Sequence, residues 1–331
     1  MNFCIYGAGA WGTAMAMHLH RCGHAVTLMP RRLEHAALLA TTRENTKYLP
    51  GFRLHPDIQI AHEPAPALLE ADAIVFACPS HGLRDAATRL APAFKTGGGR
   101  QKVVISLVKG LEAGTLKRPL EVLADVLPHC VHSVLSGPTN AGEIASGLLC
   151  AAVFATDMGE DAATNAQEAL NGSSLRIYRS SDPVGVELGG ILKNIYAIGA
   201  GISDGFQLGF NAKASYLTRA IQEMVRLGTA AGGQPETFYG LSGVGDLIAT
   251  AHGPWSRNRG FGEALARGES DIADAQRATT EGIRATACFY EIARRHDVSA
   301  PILEQIHNVL HGSASPREGI AALLRRLLKR E

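Results

Sequence analysis

Short, continuous apolar runs alternate with helical stretches through the first half of the chain. The runs predicted to be strands are residues 3–6, 25–29, 73–77, 103–107, 131–135 and 150–154. A helix is predicted between the first two strands, from about residue 12 to residue 22. Continuous apolar strands separated by helices predict a parallel sheet that is covered on both faces.

The pattern changes near residue 180. Ser181, Asp182 and Pro183 predict a helix start, because the first two are good caps and proline suits the first turn. Helical spacing then continues to the C-terminus, with interruptions at 232–233, at the glycine-rich stretch 240–245 and at 252–254. A length of 331 residues also favours two domains. We therefore predict an α/β domain over 1–180 and an all-helical domain over 181–331.

Composition narrows the functional classes. The formal net charge of +1 argues against a general nucleic-acid binder and against an electrostatic membrane anchor. No apolar run reaches the roughly 18 residues of a membrane span, and no basic leader predicts a signal peptide. The six cysteines form no Cys-x-x-Cys pair, and the 13 histidines are interpreted as core or surface residues and not as metal ligands. A cytoplasmic protein without a metal site is therefore expected.

A glycine-rich turn follows the first strand. Gly7, Gly9 and Gly12 match the pattern G-x-G-x-x-G, between an apolar strand and a helix. In a dinucleotide site, the first glycine permits the tight turn, the second lets the pyrophosphate approach, and the third lets the helix pack on the strand. The motif therefore predicts a doubly wound, Rossmann-like sheet; a glycine turn without a ligand is the alternative.

Two arginines follow the second strand. An acid that binds the ribose 2′-hydroxyl usually lies about 20 residues after the motif, but the chain has Arg31 and Arg32 there and no acid before Glu34. Guanidinium groups suit a 2′-phosphate. We expect NAD(P)H as cofactor, with NADPH favoured and NADH retained as an alternative. In the other interpretation, both arginines are ordinary exposed charges.

The chain resembles the bacterial NAD(P)-dependent glycerol-3-phosphate dehydrogenases, and the resemblance extends over nearly its whole length. It rests on separate motifs: GAGAWGTAMA at 7–16, VKGLE at 108–112, SGPTNAGEIA at 136–145, ELGGILKNIYAIGAGISDG at 187–205, GVGDLIAT at 243–250, SRNRGFG at 256–262 and EG at 281–282. The resemblance implies a Rossmann-like domain followed by a helical one. It also implies interconversion of glycerol 3-phosphate and dihydroxyacetone phosphate, which supplies glycerol 3-phosphate for phospholipid synthesis.

The resemblance also implies the site residues. It places the proton acceptor on Lys193. The implied cofactor contacts, besides Gly7, Gly9 and Gly12, are Ala10, Trp11, Arg31, Arg32, Lys109, Ala141, Arg257, Thr279 and Glu281. The implied substrate contacts are Lys109, Gly137, Thr139, Lys193, Asp246, Ser256, Arg257 and Asn258. The partner is then a small phosphorylated triose or glycerol, and a homodimer is one option for the assembly.

Four positions depart from the family pattern. Ala10 lies where many members have serine, so one hydroxyl contact to phosphate would be missing. Asn140 stands where an aromatic residue is common, and Thr279 with Thr280 replaces a more apolar pair. The Thr279 contact is consequently the least secure of those implied.

The chemistry of the residues supports the central roles. Oxidation of a secondary alcohol needs a base for the proton, and a lysine desolvated in a helix has its pKa lowered and can serve. Lys193 lies mid-helix, with Asn194 beside it, and Asp246 could hold that lysine or bind substrate hydroxyls. Residues 256–259 offer a hydroxyl, two guanidinium groups and an amide to a phosphate. The alternatives are a snorkelling lysine, a helix-capping aspartate and a polar loop.

Two other functions stay open at this stage. The chain could be a related dehydrogenase for another substrate, such as a β-hydroxyacid dehydrogenase or a ketopantoate-type reductase. It could also be an inactive dinucleotide sensor. The cations Lys109 and Arg257 favour a phosphorylated substrate over the first alternative, and Lys193 with Asp246 argues against the second.

Overall fold

The computed structural model of the chain describes residues 1–95, 102–270 and 280–325. The chain forms two compact units. The first contains Met1–Glu112 and Lys117–Val186, and the second contains Ala113–Leu116 and the chain from Glu187 onward.

The first unit is an α/β structure. In chain order its strands and helices are β1 (Asn2–Tyr6), α1 (Ala10–Arg21), β2 (Ala25–Met29), α2 (Leu33–Thr42), β3 (Glu44–Asn45), β4 (Leu49–Arg53), β5 (Gln59–Ile60), α3 (Pro64–Glu70), β6 (Ala73–Phe76), α4 (Leu83–Lys95), β7 (Val103–Ser106), α5 (Pro119–Val126), β8 (Val131–Ser136), α6 (Ala141–Ala145), β9 (Cys150–Thr156), α7 (Glu160–Leu170) and β10 (Leu175–Ser180). Each of the six predicted strands is present, with ends that differ by at most two residues. Helix α1 starts two residues earlier than predicted.

Eight strands form one sheet in the order β10-β9-β8-β7-β6-β1-β2-β5, and β3 pairs with β4 in a separate antiparallel ribbon. Both faces of the large sheet are covered, as predicted. Phe3 and Ile5 of β1 point into one apolar core, and Cys4 and Tyr6 point into the other.

The sheet is mostly parallel, but β9 runs antiparallel to β8, and β10 follows the direction of β9. The prediction of a parallel sheet is therefore wrong for β9. The connection between β8 and β9 contains only the five-residue helix α6.

The second unit is helical after Glu187 in the ranges that the structure describes. Helix α8 (Pro183–Gly205) begins with the last residues of the first unit and continues in the second. The further helices are α9 (Phe210–Ala230), α10 (Pro235–Phe238), α11 (Asp246–His252), α12 (Arg257–Arg267), α13 (Glu281–Arg295), α14 (Pro301–Leu310) and α15 (Pro316–Leu324). The predicted helix start is confirmed: α8 begins at Pro183, and the Asp182 carboxylate accepts a 2.8 Å hydrogen bond from the Gly185 N–H.

Helices α8 and α12 contact each other through glycines. A Cβ atom at Gly201 would lie 1.9 Å from the Arg259 carbonyl oxygen, and one at Gly262 would lie 2.0 Å from the Ile198 carbonyl oxygen. Only glycine permits such an approach of two helix backbones. The contact fixes the start of α12 relative to the middle of α8, where Lys193 lies.

All six cysteines belong to the described residues, and all are free thiols. Burial raises the pKa of the Cys4 thiol to about 12, so this thiol stays protonated and packs as an apolar group. Within the same described ranges, no helix has the length and hydropathy that a membrane crossing requires.

Candidate active site

The glycine turn lies between β1 and α1, at the carboxyl edge of the sheet. Gly7 has φ +110°, and a Cβ atom there would lie 2.5 Å from the Ala77 carbonyl oxygen. A Cβ atom at Gly12 would lie 1.9 Å from the Gly7 carbonyl oxygen, whereas one at Gly9 would meet no described atom within 4 Å. The first and third glycines therefore close the turn, and the second faces open space.

This open space suits a dinucleotide. Gly9 is the N-cap of α1 and brings no side chain to the first N–H groups of that helix, which can bind an anion. The indole Nε1 of Trp11 is buried and has no hydrogen-bond partner within the described part of the chain. Uncapped N–H groups, an unpartnered indole donor and room above Gly9 fit a pyrophosphate-containing cofactor.

The two predicted cofactor arginines follow β2. Arg31 and Arg32 are both exposed. A third guanidinium reaches this place, because Arg89 of α4 donates a 3.0 Å hydrogen bond to the Arg31 carbonyl oxygen. Burial raises the pKa of Tyr6, the last residue of β1, and the positive charges of Arg89 and Arg31 oppose that rise. The positive groups therefore face the carboxyl ends of β1 and β2.

Lys109, Gly137 and Thr139 meet at the carboxyl ends of β7 and β8. The Lys109 Nζ donates to the Gly137 carbonyl oxygen over 3.0 Å, and the Thr139 hydroxyl donates to the same oxygen over 3.1 Å. Ala141 starts α6, whose N-cap is Asn140 with a 3.0 Å side-chain bond from the Glu143 N–H. Asn140, which replaces the common aromatic residue, thus caps a helix.

Lys193 lies in a buried polar cluster of the second unit. Its Nζ donates to the Asp246 carboxylate over 2.9 Å and to the Thr250 hydroxyl over 2.7 Å. Lys193 is 6% exposed, and Asp246 and Thr250 are each 2% exposed. A lysine in this position does not snorkel to solvent. The carboxylate stabilises the ammonium form of the lysine, while burial of the pair favours the neutral forms.

The glycine-rich segment before Asp246, predicted as an interruption of the helical spacing, is itself helical. Residues Leu241–Gly245 form a π-helical turn that continues directly into α11. A Cβ atom at Gly243 would lie 2.0 Å from the Phe238 carbonyl oxygen, and one at Gly189 would lie 3.0 Å from the Ser242 carbonyl oxygen. These contacts fix Asp246 opposite Lys193. Gly245, and not Asp246, is the N-cap of α11, so the capping alternative for Asp246 is wrong.

A second polar cluster surrounds Asn258. Its amide nitrogen donates to the Asn194 side-chain oxygen over 2.9 Å, and its amide oxygen accepts from the Gly282 N–H over 3.1 Å. Asn258 thereby joins α8, α12 and the start of α13, where Glu281 is the first residue. Ser256 is the N-cap of α12 and accepts a 3.2 Å bond from the Arg259 N–H. Residues 256–259 therefore lie at the start of a helix.

The two arginines of this loop, Arg257 and Arg259, have different surroundings. Arg257 is exposed at the first turn of α12. Arg259 donates to Asp204 over 2.7 Å and pairs with Glu263 at 3.2 Å, and Asp204 also accepts from Lys213. Arg259 is thus neutralised within a structural network, and the prediction that both guanidinium groups serve a phosphate is wrong for this one.

Two residues of these clusters, Thr250 and Arg89, were not predicted from the sequence. Thr250 stands four residues after Asp246, so both side chains lie on one face of α11; that spacing was an available signal. Arg89 contacts Arg31 from 58 residues away, and no local pattern marks that contact. Thr279, the least secure predicted contact, lies outside the described residues.

The sheet, the glycine turn and the open helix start are the features of dinucleotide-binding α/β proteins. Residues 2–162 match the family model of the NAD-dependent glycerol-3-phosphate dehydrogenase N-terminus, and residues 182–321 match the model of its C-terminus. The chain therefore belongs to the NAD-dependent glycerol-3-phosphate dehydrogenase family.

Individual relatives agree with this assignment. A Desulfitobacterium hafniense protein named glycerol-3-phosphate dehydrogenase, with NAD(P)+ in its name, is 41% identical over all of this chain and 93% of its own length. The crystal structure of glycerol-3-phosphate dehydrogenase from Coxiella burnetii has a TM-score of 0.91 at 35% identity, over 98% of this chain and 99% of that one. A ketopantoate reductase structure from Ralstonia eutropha shares the fold alone, with a TM-score of 0.59 at 17% identity over 97% of this chain and all of that one.

Proposed function

We propose that the protein interconverts sn-glycerol 3-phosphate and dihydroxyacetone phosphate with NAD(P) as the hydride carrier, and that it supplies glycerol 3-phosphate for phospholipid synthesis. The observation that carries this proposal is the buried Lys193–Asp246–Thr250 cluster in a chain of this family. The bound nicotinamide would accept or donate the hydride. The protein would bind and orient the substrate and would transfer the proton.

Lys193 is the proposed catalytic residue. During reduction its ammonium group donates a proton to the carbonyl oxygen of the substrate, and during oxidation the neutral amine accepts the hydroxyl proton. The Asp246 carboxylate, 2.9 Å away, keeps the charged lysine stable in a buried position and fixes its direction. Thr250 fixes the same amine from a second side. Asp246 and Asn258 are also proposed to bind substrate.

The substrate phosphate is assigned to the start of α12. Arg257 supplies an exposed guanidinium, and the first N–H groups of an 11-residue helix add partial positive charge. Arg259 is excluded from this role by its pairing with Asp204 and Glu263. Ser256 combines a capping bond with its proposed substrate contact, and Lys109, Gly137 and Thr139 complete the proposed substrate contacts.

The cofactor contacts are assigned to the glycine turn and the residues around it. Gly7, Gly9, Ala10, Trp11 and Gly12 would hold the pyrophosphate, and Arg31 with Arg32 would bind the 2′-phosphate of NADPH. Arg89 is a positioning residue, because it holds the backbone of Arg31. Lys109, Ala141, Arg257, Thr279 and Glu281 are further proposed contacts. The first unit would be the dinucleotide-binding domain and the second the catalytic domain.

Steady-state kinetics with dihydroxyacetone phosphate and each reduced cofactor test the proposal. We expect turnover with both cofactors and a lower KM for NADPH. Dihydroxyacetone should be used very poorly, because it lacks the phosphate that orients the carbonyl. Efficient reduction of ketopantoate without activity on dihydroxyacetone phosphate would favour the related reductases. Cofactor binding without any turnover would favour the sensor.

Arg257→Ala tests the phosphate assignment separately. The KM for dihydroxyacetone phosphate should rise sharply and kcat should fall, whereas the residual rate with dihydroxyacetone should not change. If only cofactor affinity falls, the phosphate is bound elsewhere and Lys109 becomes the next candidate. Assembly as a homodimer also stays a prediction, which sedimentation equilibrium checks.

A further inference from the structure

Two histidines and an aspartate that are distant in sequence come together on the surface of the first unit. His20 is the penultimate residue of α1, and His55 and Asp57 lie in the connection between β4 and β5. One ring nitrogen of each histidine and one carboxylate oxygen all lie within 4.8 Å of one another. The two imidazole rings are stacked, with centroids 4.3 Å apart, and the His55 Nδ1 is 3.5 Å from the Asp57 carboxylate.

The connection that carries His55 and Asp57 has a defined shape. The Ile58 N–H donates a 3.1 Å hydrogen bond to the His55 carbonyl oxygen, which closes a β-turn with Pro56 at its second position. Proline restricts φ there in advance. The Arg43 guanidinium donates to the carbonyl oxygens of His55 and Ile58, and both Leu54 and Ile58 are buried on either side of the turn. The two ligand side chains therefore project from an anchored backbone.

His20 is well placed for a cation. Its ring makes no hydrogen bond to any residue that the structure describes; its one ring contact is the stacking on His55. It lies in the last turn of α1, where the helix dipole presents partial negative charge. The Arg43 guanidinium is the opposing positive group, and it is engaged by two carbonyl oxygens.

We propose that His20, His55 and Asp57 bind a divalent transition-metal ion of the zinc class. Two imidazole nitrogens and a carboxylate oxygen are ligands that zinc prefers, and water would occupy the open position. Zinc bonds of about 2.0–2.1 Å keep tetrahedral ligand atoms about 3.4 Å apart. Binding requires the exposed His55 and Asp57 side chains to rotate, with loss of the His20–His55 stacking, until the three ligand atoms, now within 4.8 Å, reach that separation.

The site is separate from the proposed catalytic chemistry. It joins the C-terminal end of α1 to the turn before β5, whereas the glycine turn lies at the N-terminal end of the same helix. Binding would therefore stabilise the folded first unit by linkage. Metal binding at this place is independent of the proposed function and is measured without turnover. Spacing along the chain does not indicate the site, because His20 and His55 are 35 positions apart.

Calorimetric titration of the full-length, tag-free protein with Zn²⁺ tests the proposal. We expect one high-affinity ion per chain. His20→Ala and His55→Ala should each weaken binding by more than about tenfold, because loss of an outer-shell partner alone costs about 10–100-fold. Saturating Zn²⁺ should raise the melting temperature of the wild type but not that of the double variant. Without metal, the histidine variants should have the melting temperature of the wild type, because the His20 and His55 rings stack on each other at the surface.

Cys22→Ser is the matched control, because Cys22 is a free thiol only two residues from His20. This variant should bind Zn²⁺ like the wild type. Loss of binding in Cys22→Ser, with retention in the His20→Ala/His55→Ala double variant, would assign the ion to the thiol and overturn the proposal. A wild type that takes up no zinc at micromolar concentration would overturn it as well.

Discussion

The two units form their candidate sites from different kinds of chemical group. In the first unit the backbone dominates: Gly7, Gly9 and Gly12 shape a turn, and the N–H groups of α1 face an open space. In the second unit side chains dominate, because Lys193 is held by Asp246 and Thr250 in a buried cluster. A backbone site can be recognised from one short motif. A side-chain site depends on helices that meet from distant parts of the sequence.

The largest expected effect comes from removing the amine of the second unit. Lys193→Met should lower kcat by at least about 100-fold, the low end for a general acid–base residue, and leave cofactor affinity near the wild-type value. Turnover with dihydroxyacetone phosphate and calorimetric cofactor binding measure the two quantities. Activity retained to within a few-fold would contradict the assignment.

Lys213→Met is the matched control for that experiment. Lys213 is also a buried lysine of the second unit, and its Nζ donates to both Asp204 carboxylate oxygens at 2.9 and 2.8 Å. This substitution should lower stability and leave kcat of the folded protein within a few-fold of the wild type. Equal losses of kcat in the two variants would mean that any buried ion pair matters equally.

Substitutions of the turn glycines test the backbone site of the first unit. Gly12→Ala should destabilise the fold, because the new Cβ atom would lie 1.9 Å from the Gly7 carbonyl oxygen. The expected loss is about 1–3 kcal/mol in the free energy of unfolding, the typical cost of overpacking. Gly9→Ala should keep the melting temperature of the wild type, since its Cβ atom meets no described atom within 4 Å. It should nevertheless weaken cofactor binding by at least about tenfold, or ~1.4 kcal/mol. Unchanged affinity in Gly9→Ala would show that the cofactor does not occupy this space.

The same contrast explains how far the sequence predicts the molecule. The apolar runs and the glycine motif predicted six strands, the covered sheet and the start of α8, because these are local patterns. The reversal at β9 was missed, since the composition of a strand does not indicate its direction. Strand β10 was missed because only Leu175 and Ile177 are buried while alternate residues are exposed, as expected at a sheet edge.

The candidate site shows the same limit. Lys193 and Asp246 were chosen through family resemblance, and no local pattern predicts that their side chains meet across 53 positions. Arg259 was misassigned because its partner Asp204 lies 55 positions away. Contacts of that kind become visible only when α8, α11 and α12 are packed together.

Removal of the positive charges that follow β2 should have a smaller effect, which is selective for one cofactor. Arg31→Ala with Arg32→Ala should weaken NADPH binding by about 1.5–3 kcal/mol, the worth of a charge-assisted contact, and should affect NADH little. Arg176→Ala, at an exposed arginine of β10, should change neither affinity. Equal losses for the two cofactors would show that Arg31 and Arg32 do not bind the 2′-phosphate.

The smallest expected effect concerns a side chain that anchors the backbone site. His18 of α1 is 1% exposed, and its Nε2 lies 2.8 Å from the Leu170 carbonyl oxygen. Burial lowers the pKa of His18, and the charges of Arg21 and His24 lower it further, against an opposing contribution from the Leu170 bond. The folded protein therefore holds His18 neutral, with an N–H donated to Leu170.

The sign of the pH dependence follows from that shift. Below a pH of about 6.5 the unfolded chain binds a proton at His18 that the folded chain does not, so the free energy of unfolding falls as the pH is lowered toward the folded-state pKa. His18→Gln keeps a donor for Leu170 but does not titrate, so its melting temperature should fall less between pH 7 and pH 5. Exposed His129, replaced in the same way, is the control and should keep the wild-type slope. Burial also lowers the pKa values of His132 and His307, and because both remain in each variant, only the difference between slopes reports on His18. Identical slopes for the wild type and His18→Gln would show that α1 is held in place without this neutral histidine.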